Sequence, residues 1–125
     1  MPSPTETVTT FCAEWGKSKQ AMLDSFQRYF TPKTVWENVG LATTTGIDEA
    51  LGLMESFQGV ETIRVDMLNI VAEGKKVLTE RIDTMVGPDG KDMLGFRIMG
   101  IFEVEGDKIS AWRDYFDTAA MNQAG

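Results

Sequence analysis

Between two turn signals the chain reads Lys76-Val77-Leu78-Thr79-Glu80-Arg81-Ile82-Asp83-Thr84-Met85-Val86. Successive side chains of a strand point to opposite faces, so Arg81 and Asp83 share a face with Val77 and Met85. The same two-residue period sets in at Glu61. It predicts strands over Thr62–Ala72, Lys76–Val86, Lys91–Val104 and Lys108–Phe116. Glu73-Gly74, Pro88-Asp89-Gly90 and Glu105-Gly106-Asp107 separate them, which makes an antiparallel meander. In the first of these strands Ile63, Val65 and Met67 share a face but Leu68 and Ile70 follow. That break in phase predicts a bulge near Met67.

Ahead of the meander the period is helical. Ser3-Pro4-Thr5-Glu6 combines an N-cap serine, a proline at the first helical position and a glutamate at the third. Val8, Phe11, Cys12 and Trp15 then recur at helical spacing up to Gly16. Ser18 caps a second helix with Ala21, Met22, Phe26 and Tyr29 as its apolar stripe, stopped by Thr31-Pro32. A short strand is expected at Thr34–Asn38, an irregular loop at Gly40–Gly46, and a third helix at Ile47–Phe57. The last turns Ala50, Leu51, Met54 and Phe57 inward. Residues Asp117–Asn122 are expected to return to helix. Most of the eight methionines, Met22, Met54, Met67, Met85, Met93 and Met99 among them, fall at core positions. Helices, a strand, a helix and a long meander make an α+β domain with helices on one face of the sheet.

The chain has 125 residues, enough for one domain over 1–125 with a substantial core. Twelve Lys+Arg against 19 Asp+Glu leave a formal charge of −7, and no basic cluster exists to displace counterions from nucleic acid. The sequence contains no histidine, which removes Ser-His-Asp and Cys-His catalysis as well as His-ligated zinc and haem. Acid–base chemistry therefore falls to carboxylates, Tyr, Lys or the single cysteine. Cys12 stands in an apolar stripe and reads as a core residue, with no partner for a disulfide or a CxxC site. No apolar run is long enough to span a membrane, and no leader pattern opens the sequence, so a cytoplasmic protein is expected. Gly16-Lys17-Ser18 resembles the end of a phosphate-binding loop, but Phe11 holds its first glycine position and no strand precedes it.

The informative positions are charges on apolar faces. Trp112, Asp114 and Phe116 share one face of the last strand, while Arg113 and Tyr115 take the other, where interface or surface roles are expected. A carboxylate between two large aromatics is expected to be buried and to need a partner. Arg81, Asp83 and Asp114 together carry one excess negative charge, which an apolar site neutralises most readily with a proton. One ionised and one protonated aspartate, bridged by an arginine that does not titrate, is the arrangement of a general base beside a general acid. A structural ion pair is the competing reading of the same residues. Arg97, Met99 and Ile101 face away from the inward set Leu94, Phe96, Ile98 and Phe102, which suggests that a second copy covers the outer sheet face.

These residues resemble the limonene-1,2-epoxide hydrolase family. The resemblance runs from about residue 5 to Asp117. It rests on Leu78-Thr79-Glu80-Arg81-Ile82-Asp83, on Trp112-Arg113-Asp114-Tyr115-Phe116-Asp117, and on Trp36-Glu37-Asn38 followed by Gly46-Ile47-Asp48. Gly100-Ile101-Phe102 before Glu105-Gly106-Asp107-Lys108-Ile109 matches as well. It implies a cone-shaped fold of the nuclear-transport-factor-2-like (SnoaL-like) superfamily. There a strongly curved, mostly antiparallel sheet is wrapped by three to four helices around a deep apolar pocket, in a homodimer. It further implies one-step hydrolysis of an apolar, cyclic or terpenoid-like epoxide to a vicinal diol, without cofactor, metal or covalent intermediate. Carried over by position, Asp114 is the base acting on water, Asn38 helps hold that water, Asp83 is the acid and Arg81 bridges the two carboxylates. Trp36, Met85 and Phe116 are expected to contact substrate.

Trp36 departs from the family, which has a tyrosine there. A tyrosine hydroxyl donates and accepts, whereas an indole only donates, so Trp36 is expected to pack against substrate or to narrow the pocket. Two further readings keep the fold and change the role. One is an isomerase or cyclase acting on a carbonyl substrate, with one aspartate as base and the protonated one stabilising an enolate. The other is a small-molecule binding module without catalysis.

Overall fold

The computed structural model describes residues 2–119. Two helices, α1 (Pro4–Glu14) and α2 (Lys19–Tyr29), precede a hairpin of β1 (Val35–Asn38) and β2 (Thr43–Thr45). Helix α3 (Ile47–Glu55) leads into the meander β3 (Thr62–Glu73), β4 (Lys76–Val86), β5 (Asp92–Glu105) and β6 (Lys108–Tyr115). The capping box at α1 forms as the sequence predicts: Ser3 Oγ accepts from the Glu6 amide, and Glu6 accepts from the Ser3 amide. Ser18 caps α2 through the Ala21 amide. Beyond Ala119 the expected terminal helix lies outside the described residues.

The Gly40–Gly46 segment is not irregular throughout, as the sequence reading had it. Thr43–Thr45 pairs antiparallel with β1, placing Thr44 opposite Trp36. Three consecutive β-branched residues favour the extended backbone, and the turn closes because the Asn38 amide donates to the Ala42 carbonyl at 2.9 Å. Gly40, at φ +87°, occupies a left-handed position in that turn.

The six strands form one open, mixed sheet in the order β2-β1-β6-β5-β4-β3. All pairs are antiparallel except β1 with β6, whose parallel register aligns Trp36 with Trp112 and Asn38 with Asp114. The bulge expected near Met67 is present. Leu68 is the extra residue, between Met67 opposite Arg81 and Asn69 opposite Glu80. Leu68 itself is exposed rather than inward, while Ile70 resumes the inner face. A second irregularity places Ser110 outside the ladder, between Ala111 opposite Glu103 and Ile109 opposite Val104. It keeps Ile109 and Trp112 on the same inner face.

The helices cover that inner face alone. Phe11 of α1 is wholly buried, edge-on to Trp15 at 5.0 Å, Phe26 at 5.3 Å and Trp112 at 5.6 Å. Met22 and Met54 join this core, and Met67 and Met85 pack against it. Met93 and Met99 do not. Both lie half exposed, because alternation along β5 turns their side chains outward.

Candidate active site

Two cross-strand rows build the site. The first runs Thr79, Gly100, Asp114, Asn38 across β4, β5, β6 and β1. Arg81 stands one inward position further along β4, and its guanidinium reaches over Gly100 to Asp114. Only glycine permits that reach, since a β-carbon at position 100 would land on Asp114 Oδ1 and Arg81 Nη1. The second row places Phe102, Trp112 and Trp36 side by side. Their rings stack nearly parallel, at 5.1 Å and 16° for Phe102 on Trp112 and 4.7 Å and 7° for Trp112 on Trp36.

Arg81 is completely buried, and all five of its N–H groups find acceptors. Nε and Nη2 donate to Asp83 at 3.1 and 2.8 Å. Nη1 and Nη2 donate to Asp114 at 3.1 and 2.9 Å. The remaining Nη1 hydrogen is donated to Thr79 Oγ1 at 2.9 Å, and the Thr79 hydroxyl in turn donates to the Gly100 carbonyl at 3.0 Å. The guanidinium thus forms a fork on each carboxylate, the strongest geometry open to such a pair. Asp114 Oδ1 also accepts from Trp112 Nε1 at 2.7 Å.

Burial opposes the charge on Arg81, but Asp114 and then Asp83 outweigh it and hold the guanidinium well above its ordinary pKa. Asp114 responds in the other direction. Burial pushes its carboxyl above the usual carboxylate range, and Arg81 and the Trp112 N–H only partly restore it. Cys12, buried beneath the set, has its thiol pushed up to about 12 by burial and stays protonated at neutral pH.

A cavity of about 260 Å³ opens on this set. Asp83, Asp114 and Asn38 line it, as do Trp36, Met85 and Phe116, so the structure brings together all the expected site residues that face the pocket. Arg81 lies behind the carboxylates and does not line the cavity. Most of the remaining wall is apolar, with Leu53, Met54 and Phe57 from the α3 region and Phe96 and Ile98 from β5. Asn38 begins the β1–β2 turn through its backbone, its carbonyl accepting from the Leu41 amide at 2.8 Å, which leaves its side chain to the cavity. Arg113 pairs outside with Glu103 at 2.8 Å, and Tyr115 is exposed.

Sequence reasoning missed three members of the set. Thr79 shares the inward face of β4 with Arg81, Trp112 shares that of β6 with Asp114, and Gly100 interrupts an apolar strand. Each was visible as a residue type, but the distance that gives it a role comes from pairing between strands.

The model of the limonene-1,2-epoxide hydrolase catalytic domain family matches residues 2–124. The chain is 38% identical over 87 residues to epoxide hydrolase EphG of Mycobacterium tuberculosis, a match that spans 70% of this chain and 57% of that protein. Among solved structures, a limonene-epoxide-hydrolase-like epoxide hydrolase of M. tuberculosis superposes with a TM-score of 0.78 at 29% identity, covering 97% of this chain and 83% of that one. A nuclear-transport-factor-2-like protein of unknown function from Burkholderia pseudomallei K96243 shares the fold, with a TM-score of 0.79 at 15% identity, covering 99% and 98%.

The raised pKa of Asp114 has a measurable consequence. A carboxyl whose folded value lies above its unfolded 3.8 binds more protons folded than unfolded between the two values. Its contribution to stability is therefore greatest when it is protonated and declines as pH rises through that window. Urea unfolding at a series of pH values should show the wild type losing stability relative to Asp114→Asn from about pH 3.8 upward, then levelling off. A difference that rises with pH would contradict the burial argument.

Proposed function

We propose, starting from the fact that the chain belongs to the limonene-1,2-epoxide hydrolase catalytic domain family, that it adds water to an apolar epoxide to give a vicinal diol in one step. The observation that supports this reading most is that Asp83 and Asp114, from different strands, face one apolar cavity while a single buried arginine grips both. In this reading Asp114 and Asn38, adjacent in the β1–β6 register, hold the attacking water. Asp114 accepts a water proton as the water oxygen forms its bond to an epoxide carbon. The carbon–oxygen bond of the ring breaks, and Asp83 gives its proton to the departing oxygen. Asp114 gains one proton and Asp83 loses one, so proton return from one to the other restores the site. Arg81 keeps both carboxylates at fixed spacing and does not itself exchange a proton. No cofactor or metal is assigned a part in these steps.

Burial serves this chemistry. A carboxylate raised above its usual range is a stronger base than an exposed one. The apolar wall favours substrates of cyclic or terpenoid-like character over polar ones. Met85 and Phe116 stand two residues beyond Asp83 and Asp114, Trp36 stands two before Asn38, and these three cavity-lining side chains are assigned to substrate contact. A cytoplasmic setting fits this reading, and among the described residues no helix is long and apolar enough to cross a membrane.

A homodimer belongs to the same proposal. Leu68, Val71, Leu78, Met99 and Tyr115 are all 41% exposed or more, and they belong to the four consecutive strands β3 to β6. This is the kind of apolar surface that a second copy covers.

Three measurements test the proposal. Incubation with a panel of cyclic and terminal epoxides should yield diol, and Asp114→Asn should lower kcat by about a hundredfold or more. The wild-type kcat/KM should fall at acid pH with a midpoint above the ordinary carboxylate range, and at alkaline pH as the pair loses its shared proton. No diol from any epoxide, or full activity in the variant, would overturn the assignment. Light scattering should give twice the chain mass of 13.9 kDa, and a monomer at micromolar concentration would remove the dimer.

A further inference from the structure

We infer that Trp36 is a positioning residue: stacked face-to-face on Trp112, it holds the Trp112 Nε1–H on Asp114 and so fixes the orientation of the base. The family resemblance gives this position a tyrosine whose hydroxyl holds the attacking water. Trp36 is not placed for that work. Its only polar atom, Nε1, is buried and makes no hydrogen bond among the described residues, and an indole has no lone pair with which to accept a water proton.

What Trp36 does offer is a flat surface in register with Trp112. The two indoles lie 4.7 Å apart and 7° from parallel, and Phe102 closes the opposite face of Trp112 at 5.1 Å and 16°. Trp112 is therefore clamped between two rings, with Trp15 stacked at 5.1 Å and 29° and Phe11 edge-on. Its ring has no freedom to swing, and the 2.7 Å bond from Nε1 to Asp114 Oδ1 is the outcome. A charge-assisted bond of this length stabilises the ionised carboxylate. The other charged or titratable groups facing Asp114 are Arg81 and Asp83 from β4 and the Cys12 thiol from α1. Gly100 of β5 and Asn38 of β1, its neighbours in register, carry no charge. Loosening Trp112 leaves Arg81, Asp83 and Cys12 in place, so a change in Asp114 titration would report the Trp112 bond.

The inference rests on the reading of Asp114 as the base, but its test observes Asp114 without any turnover. Carbon-13 NMR of the Asp114 carboxyl gives its titration midpoint, and nitrogen-15 NMR gives the exchange rate of the Trp112 indole proton. In Trp36→Leu the midpoint should rise by about half a pH unit or more and the indole proton should exchange at least about tenfold faster. Trp36→Phe, which keeps a flat ring in the stack, should retain most of the wild-type midpoint. Trp112→Phe should raise the midpoint, and the double variant Trp36→Leu/Trp112→Phe should raise it no further, because the two act on one bond. Should Trp36→Leu fail to fold, Trp36→Met, of similar volume but unbranched and better able to adapt to the gap, should give the same shift. An unchanged midpoint in the ring-less variants, or shifts that add in the double variant, would overturn the inference. If these shifts appear while no epoxide is hydrolysed, the positioning role stands and the hydrolase reading falls.

Discussion

A guanidinium cut off from water is tolerable only when every N–H has an acceptor and its charge has a counter-charge at contact distance. Arg81 meets both conditions through Asp83, Asp114 and Thr79. Much of the site follows from this. The two carboxylates are held in one fork-and-fork geometry with the arginine behind them, and the cavity in front is left to mostly apolar walls. Removing one partner of such a buried set costs about 3–5 kcal/mol, because it strands the other in a medium that solvates it poorly. The arrangement is therefore rigid as well as charged, which is what a base and an acid acting on one substrate require.

Strand register turns that constraint into a site. Gly100 lies between Thr79 and Asp114 in one row, and its missing side chain is the space through which Arg81 reaches across β5. The parallel contact of β1 with β6 adds Asn38 beside Asp114 and Trp36 beside Trp112. The irregularity at Ser110 keeps both Ile109 and Trp112 on the inner face despite their odd spacing. A shift of one residue in either pairing would turn Asp114 or Asn38 to the outside.

Much of this was legible before any coordinates. The alternation from Glu61 onward and the turn residues between its segments specify the meander, and the phase break at Met67 specifies its bulge. Arg81, Asp83 and Asp114 betrayed themselves by standing on faces that otherwise carry apolar groups. The extended segment Thr43–Thr45 was not legible, because three threonines between glycines carry no hydrophobic alternation and pair only once β1 is present. Nor were the contributions of Thr79, Gly100 and Trp112. A residue's type shows in the sequence, but the neighbour it meets across a sheet depends on register, and register is a property of the assembled strands. Met93 and Met99 show the converse: methionine is at home in cores, but the alternation of β5, legible in Arg97, Met99 and Ile101, turns both outward.

In the proposed mechanism, water held beside Asp114 attacks the epoxide directly, with Arg81 keeping the two carboxylates apart in role. A single turnover in oxygen-18 water, with enzyme in excess over epoxide, distinguishes this from attack by a carboxylate. The diol of that first turnover should carry one labelled oxygen, and the carboxyl groups of Asp83 and Asp114 should carry none above background exchange. Unlabelled diol from the first turnover, with label appearing in an aspartate carboxyl, would mean attack by a side chain and would contradict it.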